Sequence, residues 1–128
     1  MSHGALACVC EREALADSGS AAELAVGHDF ERAKVVFIGR MVSHTGVEQH
    51  FEVARVLKGD TTGAIVLHQG AIDADTGTRV LTSCEYEFEL GKEYLVYAFD
   101  VGGSLSTSYC SRTRLLDRAE LDLRLIEH

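Results

Sequence analysis

Two of the four cysteines stand one residue apart, Cys8-Val9-Cys10, and the other two, Cys84 and Cys110, follow at long range. Thiols in that pattern either pair as disulfides or bind a soft metal as thiolates. Cys8 and Cys10 do not pair with each other, because so small a ring would be badly strained. Each therefore joins one distant partner, Cys84 or Cys110, and the residues leave both pairings open. Loops of roughly 70 to 100 residues closed in this way stabilise a fold by about 4–5 kcal/mol each in the chain-entropy model. A soft-metal site built from the Cys-x-Cys pair with Cys84 and Cys110 is the competing reading, and no Cys-x-x-Cys pair accompanies it.

Other groups able to do chemistry are weaker. His44, His50 and His68 fit no standard ligand spacing and read as surface histidines. Asp73 and Asp75 near Gly77 resemble part of a calcium loop, but the closing bidentate glutamate is missing and a solvated turn is expected. Glu85, Glu87 and Glu89 read as the wet face of an amphipathic strand. No serine or cysteine sits in a nucleophile motif, so neither an enzyme nor a cofactor is expected, nor a metal site of the chain's own.

Composition narrows the partners. The 128 residues carry 12 basic and 20 acidic side chains, a formal net charge of −8, which repels phosphate backbones and argues against nucleic-acid binding. Aromatics are 7%, too few for stacking platforms on single strands. Hydrophobic residues at 46% and charged ones at 25% describe one ordinary globular domain with a real core. No apolar run reaches the roughly 18–20 residues of a membrane span.

Met1-Ser2-His3-Gly4 reads as an appended leader. Ala5-Leu6-Ala7 is an A-x-A pattern of the kind signal peptidase cuts after, directly before Cys8. Residues 1–7 are therefore expected to be a cloning or signal-peptide remnant and 8–128 the domain. The chain is expected to be secreted or to reside in the periplasm or cell envelope, where disulfides persist.

The elements that must carry the cysteines follow from patterning. Residues 11–16 are helix-permissive. Ser20 with Glu23 has capping-box spacing and predicts a helix over 21–31, with Leu24 and Phe30 toward the core. Val35-Val36-Phe37-Ile38 predicts a strand within 33–42, and Gly39 inside it a bulge or sharp coiling. Residues 43–49 read as a polar turn, 50–57 as a second strand ended by Lys58-Gly59-Asp60, and 64–68 as a third. Residues 69–79 read as loop or loose hairpin. Glu85-Tyr86-Glu87-Phe88-Glu89-Leu90 alternates strictly and predicts a half-buried strand. Gly91 turns the chain into a central strand over 94–99, and Gly102-Gly103 turns it again into a strand over 105–109. Asp117 and Glu120 repeat the capping spacing before a helix whose apolar face is Leu121, Leu125 and Ile126. The fold class is mainly β: five or six short strands with flanking helices, for which the five-stranded Greek-key OB-fold barrel is the natural candidate.

In their order and spacing these motifs resemble the netrin-like fold, and in particular the inhibitory domain of the tissue inhibitors of metalloproteinases in its short bacterial form. The resemblance is carried by the Cys-x-Cys start, by Ala33-Lys34-Val35-Val36-Phe37-Ile38-Gly39-Arg40, and by Phe51-Glu52-Val53 with Leu57-Lys58-Gly59. It continues through Cys84, Tyr86 to Leu90, Gly91-Lys92-Glu93-Tyr94-Leu95-Val96-Tyr97-Ala98 and Leu105-Ser106-Thr107-Ser108-Tyr109-Cys110. The resemblance implies disulfides Cys8–Cys84 and Cys10–Cys110. It also implies an inhibitory ridge of Cys8, Val9, Cys10, Thr82 and Ser83. There the free α-amino group and carbonyl oxygen of Cys8 would chelate the catalytic zinc of a target metalloproteinase, and Val9 would enter the pocket beside it. Residues 1–7 would block that amine until removed. The other reading is a non-inhibitory extracellular or envelope interaction module that uses the barrel surface.

Overall fold

Apolar residues in β1 (Val35–Thr45) and β6 (Glu93–Val101) run almost without a break, and the computed structural model places these two strands side by side at the centre of the sheet. The described residues are 18–69, 71–72, 75–76, 79–80 and 85–127. Around the central pair the antiparallel order is β3 (Ala64–His68), β2 (Glu48–Lys58), β1, β6, β7 (Ser104–Ser106). β3 and β7 approach each other, so the five strands make a nearly closed, barrel-like sheet. β8 (Arg114–Leu115) adds two residues beside β6, and β4 (Ala71–Ile72) pairs with β5 (Arg79–Val80) as a separate ribbon. Helix α1 (Ser20–Arg32) precedes the sheet. A single 3-10 turn, Leu116–Arg118, leads into α2 (Glu120–Ile126).

Both faces of the central strands are covered, which explains the continuous apolar run. Val35, Phe37 and Met41 of β1 with Tyr94, Val96 and Ala98 of β6 point into the barrel, where they meet Phe51, Ile65 and Leu67. The alternate residues Val36, Ile38, Leu95 and Tyr97 form a second core with Ala33 and Ala119, against which Phe30, Leu123 and Ile126 pack. The β1–β2 hairpin coils through three register shifts, one between Ile38 and Gly39. A Cβ at Gly39 would stand 2.9 Å from the Glu52 carbonyl oxygen, so the bend needs glycine there. Gly59 ends β2 at φ +88°, and a Cβ on it would lie 2.5 Å from the carbonyl oxygen of Lys34.

Several sequence expectations are corrected. α1 begins at Gly19 backbone rather than with a Ser20 box: the Gly19 carbonyl accepts the Glu23 N–H at 3.0 Å and no side chain caps the N-terminus. Its inward stripe is Ala22, Val26 and Phe30, at four-residue steps, which leaves Leu24 turned out and 76% exposed. At the other end Lys58 Nζ donates to the carbonyls of Phe30 (2.6 Å) and Glu31 (2.8 Å), joining the end of β2 to the C-terminus of α1. Residues 43–49 are not a long turn, since β1 and β2 continue to Thr45 and from Glu48. Residues 85–89 keep their alternation but belong to no ladder, and Leu90 is exposed. β7 is three residues long, and α2 starts from Ala119 without the expected Asp117 cap. Of the expected apolar face Leu121 is buried and Ile126 packs on the core, but Leu125 is exposed and the helix buries Asp122 as well. No helix among the described residues is long and apolar enough to cross a membrane.

Candidate functional site

Of the residues expected at the site, Cys8, Val9, Cys10, Thr82, Ser83 and Cys84 lie outside the described residues. Cys110 lies within them, in the turn after β7, where its N–H donates to Ser108 Oγ at 3.2 Å. Its sulfur is not a free thiol.

The chain positions next to the second pair of cysteines do meet. Glu85, Tyr86 and Glu87, which follow Cys84, and Tyr109, which precedes Cys110, line one cleft of about 440 Å³. Side chains hold its first wall in place of a ladder. Gln69 Nε2 donates to the Tyr86 carbonyl at 2.6 Å, and the Glu89 N–H donates to Tyr94 Oη at 2.8 Å. Tyr86 and Phe88 dip into the barrel core, with Phe88 edge-on to Phe51 and to Tyr94, centroids 4.8 Å apart in each case. Burial, aided by Tyr94, pushes the Tyr86 phenol above its usual pKa, while Arg114 and Arg118 pull it the other way.

The second wall rests on a lattice of hydroxyls. Thr107 Oγ1 lies 3.0 Å from Ser111 Oγ and 2.8 Å from Thr113 Oγ1, and Thr113 Oγ1 accepts the Tyr97 N–H of β6 at 2.9 Å. Ser111 Oγ accepts the Thr113 N–H at 3.1 Å and donates to the Ser108 carbonyl at 2.9 Å. These hydroxyls are bonded to one another and to backbone, an arrangement that stiffens the turn carrying Cys110. Such a site can hold a segment in a fixed pose.

Directly beneath, Arg112 and Asp122 form an ion pair with neither side chain exposed, and Tyr97 Oη donates to the same carboxylate at 2.7 Å. The sequence reading did not single out Arg112, Asp122 or Tyr97. The available signal was a lone acid, Asp122, set between the apolar residues Leu121 and Leu123 of a short helix. The neighbouring Asp29 of α1 accepts the Arg112 N–H at 2.8 Å, and burial raises its pKa above the usual carboxylate value.

The three histidines are not one cluster. His50 Nε2 and His68 Nε2 lie 3.3 and 3.4 Å from the two oxygens of Glu48 on neighbouring strands. His44, on β1, pairs in register with Gln49 and so projects from the opposite face of the sheet to His50. Among the described residues no group of three or more His, Cys, Asp or Glu side chains is arranged to hold a metal ion. The chain matches no family model and no curated protein.

Proposed function

We propose that this chain is an exported netrin-like domain, an OB-type Greek-key barrel that inhibits zinc metalloproteinases through the amino terminus of Cys8. The observation that carries the reading is the shared cleft: the residues flanking Cys84 and Cys110 face each other across it. Disulfides Cys8–Cys84 and Cys10–Cys110 would then bring the Cys8-Val9-Cys10 segment to that rim and hold it rigid. Little ordering entropy would be lost on binding a target. A metalloproteinase zinc keeps one coordination position open for water, and a neutral amine with its adjacent carbonyl oxygen forms a five-membered chelate that displaces it. Thr82 and Ser83, beside Cys84, would flank the chelator, and Val9 would supply an apolar side chain for the pocket next to the zinc.

The test is inhibition of a panel of zinc metalloproteinases by the full chain, by a chain beginning at Cys8, and by the latter after acetylation of its amine. Inhibition by the Cys8-start form alone supports chelation. Equal potency after acetylation overturns it.

A second reading, an interaction module indifferent to Cys8, is favoured by the apolar surface at the 89–92 turn. The Gly91 N–H donates to the Met41 carbonyl at 2.8 Å, which joins the two backbone segments that carry the exposed side chains Leu90 and Val42. Failure of every form across the panel, with partner binding lost in Leu90→Ser, would favour this reading.

A further inference from the structure

Beside the first cleft lies a second of about 260 Å³, and in a chain of net charge −8 it gathers two cationic side chains and two phenols. Arg114, Arg118, Tyr86 and Tyr109 line it, and Ser111 and Thr113, whose hydroxyls are bonded internally, form its floor. Arg114 is 8% exposed, and its Nε donates to the Arg112 carbonyl at 3.1 Å. That bond fixes the plane of the guanidinium, whose terminal nitrogens then form a preset fork. Arg118 is exposed on the 3-10 turn, and its charge and that of Arg114 both reach the Tyr86 phenol. Two like charges converging on one small cleft favour an anion between them.

We propose that this cleft binds a carboxylate, held by the Arg114 fork, the Arg118 charge and the Tyr86 and Tyr109 hydroxyls. The planar fork matches a carboxylate bidentately. Glu85 and Glu87 on the adjoining cleft oppose a doubly charged phosphate more strongly than a singly charged carboxylate. A guanidinium carries five N–H donors, so the site does not depend on either arginine being without other bonds. The carboxylate has two possible sources. One is an acid from outside the chain. The other is Glu11 or Glu13, which follow Cys10 in sequence and which the proposed Cys10–Cys110 bond would bring toward Tyr109. The second source alone rests on the disulfide reading.

The experiment is a titration of the full chain with sodium propionate, a mimic of the glutamate side chain, against sodium chloride at matched ionic strength. The signals followed are the Arg114 and Arg118 Nε–Hε resonances and the Tyr86 ring. Saturable shifts in the unaltered chain assign the site to an external acid. Saturable shifts only in Glu11→Gln/Glu13→Gln assign it to the chain's own carboxylates. No saturable shift beyond chloride in either form overturns the proposal. Arg118→Gln, at an exposed position, is expected to weaken propionate binding about tenfold through loss of a charged hydrogen bond, and unchanged binding would also overturn it. None of these outcomes depends on metalloproteinase inhibition.

Discussion

Asp122 grips Arg112 with both carboxylate oxygens: Nη2 donates to Oδ1 at 2.6 Å and Nε donates to Oδ2 at 3.1 Å, with neither side chain reaching solvent. Because the Arg112 N–H also bonds Asp29 and Tyr97 Oη bonds Asp122, one turn ties both helices to the centre of the sheet. Removing one member strands a buried charge. Asp122→Ala is expected to destabilise the fold by about 3–5 kcal/mol, read by urea denaturation. The apolar double replacement Arg112→Met/Asp122→Leu is expected to recover most of that loss. A double variant as weak as the single one would show that the pair does more than satisfy itself.

The same pocket sets an alkaline limit. Burial first, and then the charge of Asp122, push the Tyr97 phenol well above its ordinary pKa. A folded pKa above the unfolded value of about 10 means that the unfolded state releases its proton first. The contribution of the neutral phenol is therefore complete below about pH 10 and falls away as pH rises beyond it. Tyr86, also raised, acts in the same direction. Stability measured from pH 8 upward should decline in the natural chain and more gently in Tyr97→Phe. Parallel profiles would exclude Tyr97 as a source.

Lys58 reaches across from β2 to the last carbonyls of α1. Its ammonium also sits 5.4 Å from the Phe30 ring centroid. Lys58→Met keeps most of the stem and removes the charge, so it isolates the cap. A loss of about 1–2 kcal/mol is expected from the helix-terminus interaction in a partly buried setting. No change in the denaturation midpoint would mean that water replaces the ammonium at no cost.

Legibility in the sequence depended on which interactions decide each element. β1, β3 and β6 were readable because burial on one or both faces fixes their side chains, and 64–68 was predicted with the observed bounds. Residues 85–90 were misread for a physical reason. Alternation reports which side chains are wet, and it is silent on whether the backbone pairs. Here Gln69, well before the stretch, and Tyr94, just across the Gly91 turn, take the place of a neighbouring strand. Capping motifs misled at both helices because the Gly19 carbonyl takes the Glu23 N–H expected to go to Ser20, and because Asp117 lies within the 3-10 turn while the helix starts from Ala119. At the candidate site, Cys110 and the cleft beside it are described, whereas the rest of the expected ridge lies outside the described residues. The Arg112–Asp122 pair left only half a signature, the acid between Leu121 and Leu123, since its arginine lies ten residues away across a turn and a 3-10 segment.

Two glycines should respond in opposite directions. Gly59→Ala forces a Cβ to 2.5 Å from the Lys34 carbonyl oxygen at φ +88°, and backbone cannot move aside cheaply. Destabilisation of more than about 1 kcal/mol is expected. Gly27 lies within α1 with nothing within 4 Å of its would-be Cβ, so Gly27→Ala should stabilise by about 1 kcal/mol through helix propensity. Thermal melting of both variants checks the pair together.

Peptide mapping of oxidised protein without reduction is expected to link Cys8 to Cys84 and Cys10 to Cys110. Crossed links, Cys8 to Cys110 and Cys10 to Cys84, would keep the cysteines at one rim but place Val9 differently and so remove the proposed pose of the chelator. Any peptide in which Cys110 is alkylated before reduction would contradict the bonded sulfur.

An amide that donates to a single side chain opens when that side chain swings, whereas an amide within a ladder opens only with its strand. The Glu89 N–H, given to Tyr94 Oη, is of the first kind. Solvent deuterons should therefore reach the 85–89 stretch through small local fluctuations, long before they reach β1 or β6. Early exchange there would mark the 85–89 stretch as the outer margin of the frame, with the hydroxyl lattice under Cys110 as its stiff side.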